Sequence, residues 1–128
     1  MSCVDNRRRV ARVDLDPFIQ GFVGATPVRL VDLSVDGAGV EHDTPLIAGA
    51  IVKLIFTYGD VRLELPALTV RCRLQKAVAR NTFVYRSGLR FTQLPHETKR
   101  TLASVLHALI LPELEKARLR PDAAAIVA

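Results

Sequence analysis

The feature that most limits this chain is a series of short β-rich runs separated by turn signals, with no helical pattern between them. The runs are PVRLVDLS, GVEHD, AIVKLIFTY, VRLELPALTVRCRLQ and TFVYRSGLRFTQL. Strands that follow one another through tight turns pair antiparallel, whereas a parallel sheet needs a crossover of a dozen or more residues between partners. The expected fold is therefore mainly β, an antiparallel barrel or sandwich. In the first run Val31, Leu33 and Val35 are expected on the core face and Asp32 and Ser34 on the other. Asp36-Gly37 then signals a hairpin turn whose backbone needs positive φ. In the long fourth run, Pro66 is expected at an edge or bulge. Beyond it, Leu68, Val70, Cys72 and Leu74 should be buried and Thr69, Arg71, Arg73 and Gln75 exposed.

One helix is expected, and late. From Pro95, Leu102, Val105, Leu106, Leu109 and Ile110 recur at intervals of three and four, and Pro112 should kink or restart the helix before Pro121 ends it. Its apolar stripe either covers the open end of the barrel or pairs weakly with a second copy. The expected organisation is an arm over residues 1–12, a barrel over 13–94, a helix over 95–120 and a frayed tail over 121–128. With 128 residues, 49% of them hydrophobic and 24% charged, the chain is one globular domain.

No run approaches the roughly 20 apolar residues of a membrane span, and the start MSCVDNRRR lacks the apolar stretch of a signal peptide. A cytoplasmic location is expected, and Cys3 and Cys72 lack the spacing of a metal or redox motif. His42, His96 and His107 are scattered, and no HExxH, CxxC, GxSxG or phosphate-loop pattern occurs. Neither an enzyme nor a metal or cofactor site is expected.

What remains is charge. The net charge is +5, carried by 14 Arg against 4 Lys. Arginine's planar fork grips phosphates and guanine edges bidentately, which a lysine cannot do. Four arginines fall in NRRRVAR, residues 6–12, and the turn sequence DLSVDG follows about twenty residues later. Arg8-Arg9-Val10-Ala11-Arg12 fits RxxxR, and Asp32-Leu33-Ser34-Val35-Asp36-Gly37 fits (D/N)xSxxG. In this order, before an all-β domain with a terminal helix, the two motifs resemble those of the PilZ family of cyclic di-GMP receptors. SGLRF, residues 87–91, is similar to that family's last-strand glycine and aromatic.

The resemblance implies a six-stranded, split-barrel type of β-barrel with a C-terminal helix, and a receptor whose ligand is cyclic di-GMP. Arg8 and Arg12 would clasp phosphate and the guanine O6 and N7 acceptors, with Arg9 beside them. Asp32 would accept from guanine N1 and N2, Ser34 would bond ligand or backbone, and Gly37 would allow a tight turn near the ligand. Arg7, preceding the motif, implies two intercalated ligand molecules. Arg71 or Arg73 would stack on a guanine where relatives use an aromatic ring, since this chain has no Trp. The arm would fold over the ligand and remodel a surface for a downstream protein in motility or biofilm regulation. Two other readings are a small basic barrel that binds nucleic acid, which the 5% aromatic content argues against, and a ligand-free adaptor that acts through protein contacts.

Overall fold

The computed structural model describes residues 12–80 and 82–119. Six antiparallel strands, β1 (Val13–Val23), β2 (Thr26–Leu33), β3 (Gly37–His42), β4 (Ile51–Tyr58), β5 (Val61–Ala79) and β6 (Thr82–Phe91), precede one helix, α1 (His96–Leu119). The strands close into a barrel in the order β1-β2-β3-β6-β5-β4, with β4 returning to β1. β1 lies in a stretch that carries no clean alternation. Its pairing with β2 shifts register between Asp14 and Ile19, around Pro17, which has no N–H to give a ladder.

The core is aliphatic. Leu30, Leu33, Val40, Leu54, Leu65 and Ala67 are fully buried and pack with Phe56, Leu63 and Leu89 in one cluster. Each such leucine contributes about 1.5–3 kcal/mol by leaving water. Leu102, Val105 and Leu106 of α1 belong to the same cluster, so the helix stripe closes the barrel from within the chain. α1 starts at His96, with the Pro95 carbonyl accepting from the Lys99 N–H, and continues through Pro112 to Leu119 without restarting.

Two β-bulges change the alternation expected along the strands, because an extra residue swaps the faces of everything after it. In β2, Val28 and Leu30 point inward, the register shifts between Leu30 and Asp32, and Leu33 becomes the next inward residue. Val31 is buried at the bulge, while Val35, expected in the core, is in the turn and 49% exposed. In β5 the inward residues are Leu63, Leu65, Ala67 and Thr69, the opposite phase to that expected for Leu68 and Val70. A shift between Thr69 and Arg71 then resets the strand, so that Cys72 is half-buried and Arg71 and Arg73 face out as expected. Leu74, also expected in the core, is 57% exposed because β5 has by then run past the barrel wall. Pro66 itself sits in regular register opposite Lys53, its carbonyl accepting from the Thr92 N–H.

The Thr69 hydroxyl is buried in this core and has no hydrogen-bond partner among the described residues. A buried unpaired hydroxyl costs roughly 1–3 kcal/mol. Thr69→Val, of equal shape, is therefore expected to raise stability by about 1 kcal/mol, read as a higher urea midpoint at unchanged slope.

Candidate functional site

The bulges matter because of where they aim side chains. Asp32 pairs with Gly39, Gly39 with Gly88 and Gly88 with Arg71, a row across β2, β3, β6 and β5 on the outer face of the barrel. One step along, Glu41, Arg86 and Arg73 are cross-strand neighbours. A carboxylate thus stands on one side of two glycines and guanidinium groups on the other. The glycines supply a floor without side chains. The resulting cleft, of about 230 Å³, is lined by Arg12, Asp32, Gly39, Arg71, Arg73, Arg86, Ser87 and Gly88. Four arginines against one aspartate make it a cationic, anion-seeking surface.

Asp32 organises the cleft. Only 5% exposed, its carboxylate accepts the Gly39 N–H through Oδ1 at 2.8 Å and Arg86 Nη2 through Oδ2 at 3.0 Å. Arg12 Nη1 lies 3.6 Å from Oδ1. A Cβ at position 39 would sit 2.7 Å from Asp32 Oδ2, so a glycine is required there for the carboxylate to lie flat on β3. An ionised carboxylate offers about four acceptor positions, so capacity remains for a ligand donor.

Ser34 and Gly37 have another task. Ser34 is 2% exposed and does not line the cleft. Its Oγ accepts the backbone N–H groups of Asp36 and Gly37 and donates to the Asp36 carboxylate at 2.6 Å, which pins the β2–β3 turn. Gly37 is not among the positive-φ glycines, which are Gly24, Gly49 and Gly59. Its constraint is proximity, since a Cβ there would strike the backbone carbonyl oxygen of Leu89 on β6. The second motif therefore divides into one residue that faces the cleft, Asp32, and two that hold the turn behind it. Of the first motif, Arg12 faces the cleft, while Arg7, Arg8 and Arg9 lie outside the described residues.

Sequence reasoning missed Arg86, Gly39, Ser87 and Gly88. Gly88 did stand in SGLRF, but nothing in one dimension marked it as the neighbour of Gly39. Behind the cleft, His42 is fully buried, stacked on Tyr85 with ring centroids 6.0 Å apart. Its Nδ1 is 2.6 Å from the Thr44 carbonyl and its Nε2 is 2.7 Å from Ser87 Oγ. The carbonyl can only accept, so Nδ1 carries the proton and Ser87 donates to Nε2. Burial holds the His42 pKa below its ordinary 6.5. The unfolded chain therefore takes up a proton near pH 6.5 that the fold resists, and stability should be full above that pH and decline as pH falls below it. His42→Phe keeps a ring against Tyr85 and should flatten this slope between pH 7 and 5.5 in urea titrations, while lowering stability at pH 7 because Ser87 loses its acceptor.

No group of three or more His, Cys, Asp or Glu suited to a metal occurs among the described residues, and no helix there is long and apolar enough to cross a membrane.

A small closed antiparallel barrel, capped by one helix and bearing an arginine-lined cleft on its outer face, defines the class: a compact anion-binding β-barrel module. The profile of the PilZ domain matches residues 6–108, and the chain belongs to the PilZ domain family. Among solved structures it is similar to the PilZ domain with c-di-GMP of YcgR from Escherichia coli, with TM-score 0.70, 24% identity and coverage of 89% of this chain and 99% of that one. It is also similar to YcgR in complex with c-di-GMP from Escherichia coli (TM-score 0.65, 22% identity, 89% of this chain). A third similar structure is MrkH, described as a c-di-GMP-dependent transcription regulatory factor (TM-score 0.67, 17% identity, 82% of this chain). The chain spans about half the length of these two, 51% and 52%. A comparison with curated protein sequences gave no match.

Proposed function

We propose that this chain is a cyclic di-GMP receptor, a binding module and not an enzyme, with the ligand seated in the cleft between Asp32 and the arginines of β5 and β6. The observation that carries the reading is the meeting of the two motifs: Arg12 of RxxxR stands 3.6 Å from Asp32 of DLSVDG, at the mouth of a cleft floored by two glycines. Membership of the PilZ family and the c-di-GMP in the two YcgR structures support it.

The chemistry fits part by part. Cyclic di-GMP presents two phosphates and two guanines. Guanidinium forks match both the phosphate oxygens and the guanine O6 and N7 acceptors. Asp32, an acceptor only, suits the guanine N1 and N2 donors, which no adenine presents together. The flat floor over Gly39 and Gly88 admits a ring, and Arg71 or Arg73 provides a planar cation to stack on it. A volume of about 230 Å³ falls short of the roughly 300–1,000 Å³ of pockets that enclose a small molecule, so the barrel supplies one side of the site. In this reading the other side comes from the arm. Arg8 is four residues from Arg12, and four extended residues reach about 14 Å, enough to cross the ligand.

Three or four charge-assisted hydrogen bonds of about 1.5–3 kcal/mol each, less about 2–5 kcal/mol to order the arm, leave an affinity on the order of micromolar or tighter once association entropy is subtracted. That suits a reversible sensor. Arg7 adds a cation for a second, intercalated molecule, giving two ligands per chain. The ordered arm then changes the surface presented to a downstream protein.

Titration calorimetry with cyclic di-GMP and cyclic di-AMP tests the reading. Only the guanine ligand should bind, and loss of that preference would reject the role given to Asp32. A substitution probes the floor. A Cβ on Gly88 would meet nothing closer than Arg71 at 3.9 Å, so Gly88→Ala should fold with a melting temperature within a few degrees of the parent. Its methyl would nevertheless occupy the floor, and cyclic di-GMP affinity should fall about tenfold, a loss of about 1.4 kcal/mol.

A further inference from the structure

β5 and β6 outrun the barrel. The last β4 partner of β5 is Leu68, and the last β3 partner of β6 is Tyr85, yet β5 and β6 stay paired with each other out to Ala79 and Thr82. The far end of this hairpin is open to water: Leu74 is 57%, Val78 60% and Phe83 38% exposed. Along the outer side of β5, Thr69 is bonded to Gly49 and Ala50, and Cys72 Sγ accepts the Leu46 N–H at 3.4 Å. Among the described residues, no strand pairs with that side from Arg73 to Ala79. Between residues 65 and 96 there is no acidic residue, against six cations: Arg71, Arg73, Lys76, Arg80, Arg86 and Arg90.

We infer that this open edge of β5, from Arg73 to Ala79, is a docking site for an extended acidic segment of a partner protein, added as a strand. Three properties select that occupant together. An unpaired edge satisfies its N–H and C=O groups best with another strand. Leu74 and Val78 offer apolar contact to alternate side chains of the guest. The unbroken positive charge, with Lys76 and Arg80 outside the cleft, favours carboxylates opposite. The same charge opposes a second copy, whose edge would bring like charges together. Positive charge alone is a common way to protect an edge from aggregation, but protection does not require exposed leucine, valine and phenylalanine on the same hairpin. The inference is independent of the ligand reading, since it uses no cleft residue beyond Arg73 at the start of the edge.

The test uses the full chain and a fluorescein-labelled octapeptide of alternating valine and glutamate, followed by fluorescence anisotropy, with a valine–lysine octapeptide as control. The acidic peptide should bind saturably and the basic one should not, and amide exchange should slow within residues 73–79. The double variant Lys76→Glu/Arg80→Glu should weaken binding about tenfold or more, and raising salt past physiological strength should weaken it for the parent. Leu74→Ser/Val78→Ser should weaken it at unchanged charge. Both variants should keep the parent's circular dichroism spectrum. No binding of the acidic peptide at about millimolar concentration would overturn the inference, as would equal binding by the charge-reversed variant or protection confined elsewhere. So would self-association through residues 73–79, or retention on phosphatidylglycerol vesicles or duplex DNA that depends on Lys76 and Arg80 and exceeds peptide binding.

Discussion

Arg12→Ala is expected to lower cyclic di-GMP affinity at least about a hundredfold while barely changing stability. A bidentate guanidinium contact contributes two charge-assisted bonds of about 1.5–3 kcal/mol each, and every 1.4 kcal/mol is a factor of ten. In the free protein the same side chain is 62% exposed and stands 3.6 Å from Asp32, a pairing that contributes well under 1 kcal/mol to folding. Arg12→Lys separates charge from geometry: the lysine keeps the cation and loses the fork, so affinity should recover only in part. Calorimetry gives the affinity and urea denaturation the stability. Asp32→Ala should lose affinity as well, but also stability, because it strips the acceptor from the buried Gly39 N–H and from Arg86. A variant set in which both substitutions affected only stability would remove the cleft from the account.

Gly37→Ala is expected to have the largest effect on folding, about 3 kcal/mol, at the upper end of what overpacking usually costs. The obstacle is a backbone carbonyl, that of Leu89 on the neighbouring strand, and a backbone atom cannot turn aside as a side chain can. For the strand to yield, the Gly37–Arg90 and Ala38–Leu89 pairs would have to part. The motif glycine is thus a packing residue between β3 and β6. The folded fraction should still bind cyclic di-GMP within a few-fold of the parent. A Gly37→Ala protein with parental urea midpoint and lost binding would reverse that assignment and place the glycine at the ligand.

Which parts were legible in the sequence follows from what a one-dimensional pattern can carry. The strands β2 to β6 and the helix stripe of Leu102, Val105 and Leu106 announced themselves because burial imposes a period, and turn residues mark its ends. β1 did not, since Pro17 and the register shift beside it interrupt the period before four or five residues have accumulated. The bulges were invisible for a related reason: one extra residue reverses the faces without changing composition. Thr69 accordingly lies in the core and Val70 in water, while Arg71 and Arg73 face out once the reset has occurred. Asp32 reaches the outer face by the same device. Arg12 and Asp32 stood out through their motifs, whereas Arg86 and the paired glycines Gly39 and Gly88 acquire meaning only when β3, β6 and β5 lie side by side. In Ser34 the motif pointed to the right place and a different task, since a serine two residues before an N–H in a tight turn bonds the turn itself.

The measurement that bears most directly on the central claim is a calorimetric titration of the full chain with cyclic di-GMP at physiological salt, repeated with cyclic di-AMP. The account predicts saturable heat with an affinity on the order of micromolar or tighter, two ligand molecules per chain as Arg7 implies, and no saturable heat with the adenine analogue. No heat with cyclic di-GMP at about tens of micromolar protein, or equal binding of both dinucleotides, would contradict it.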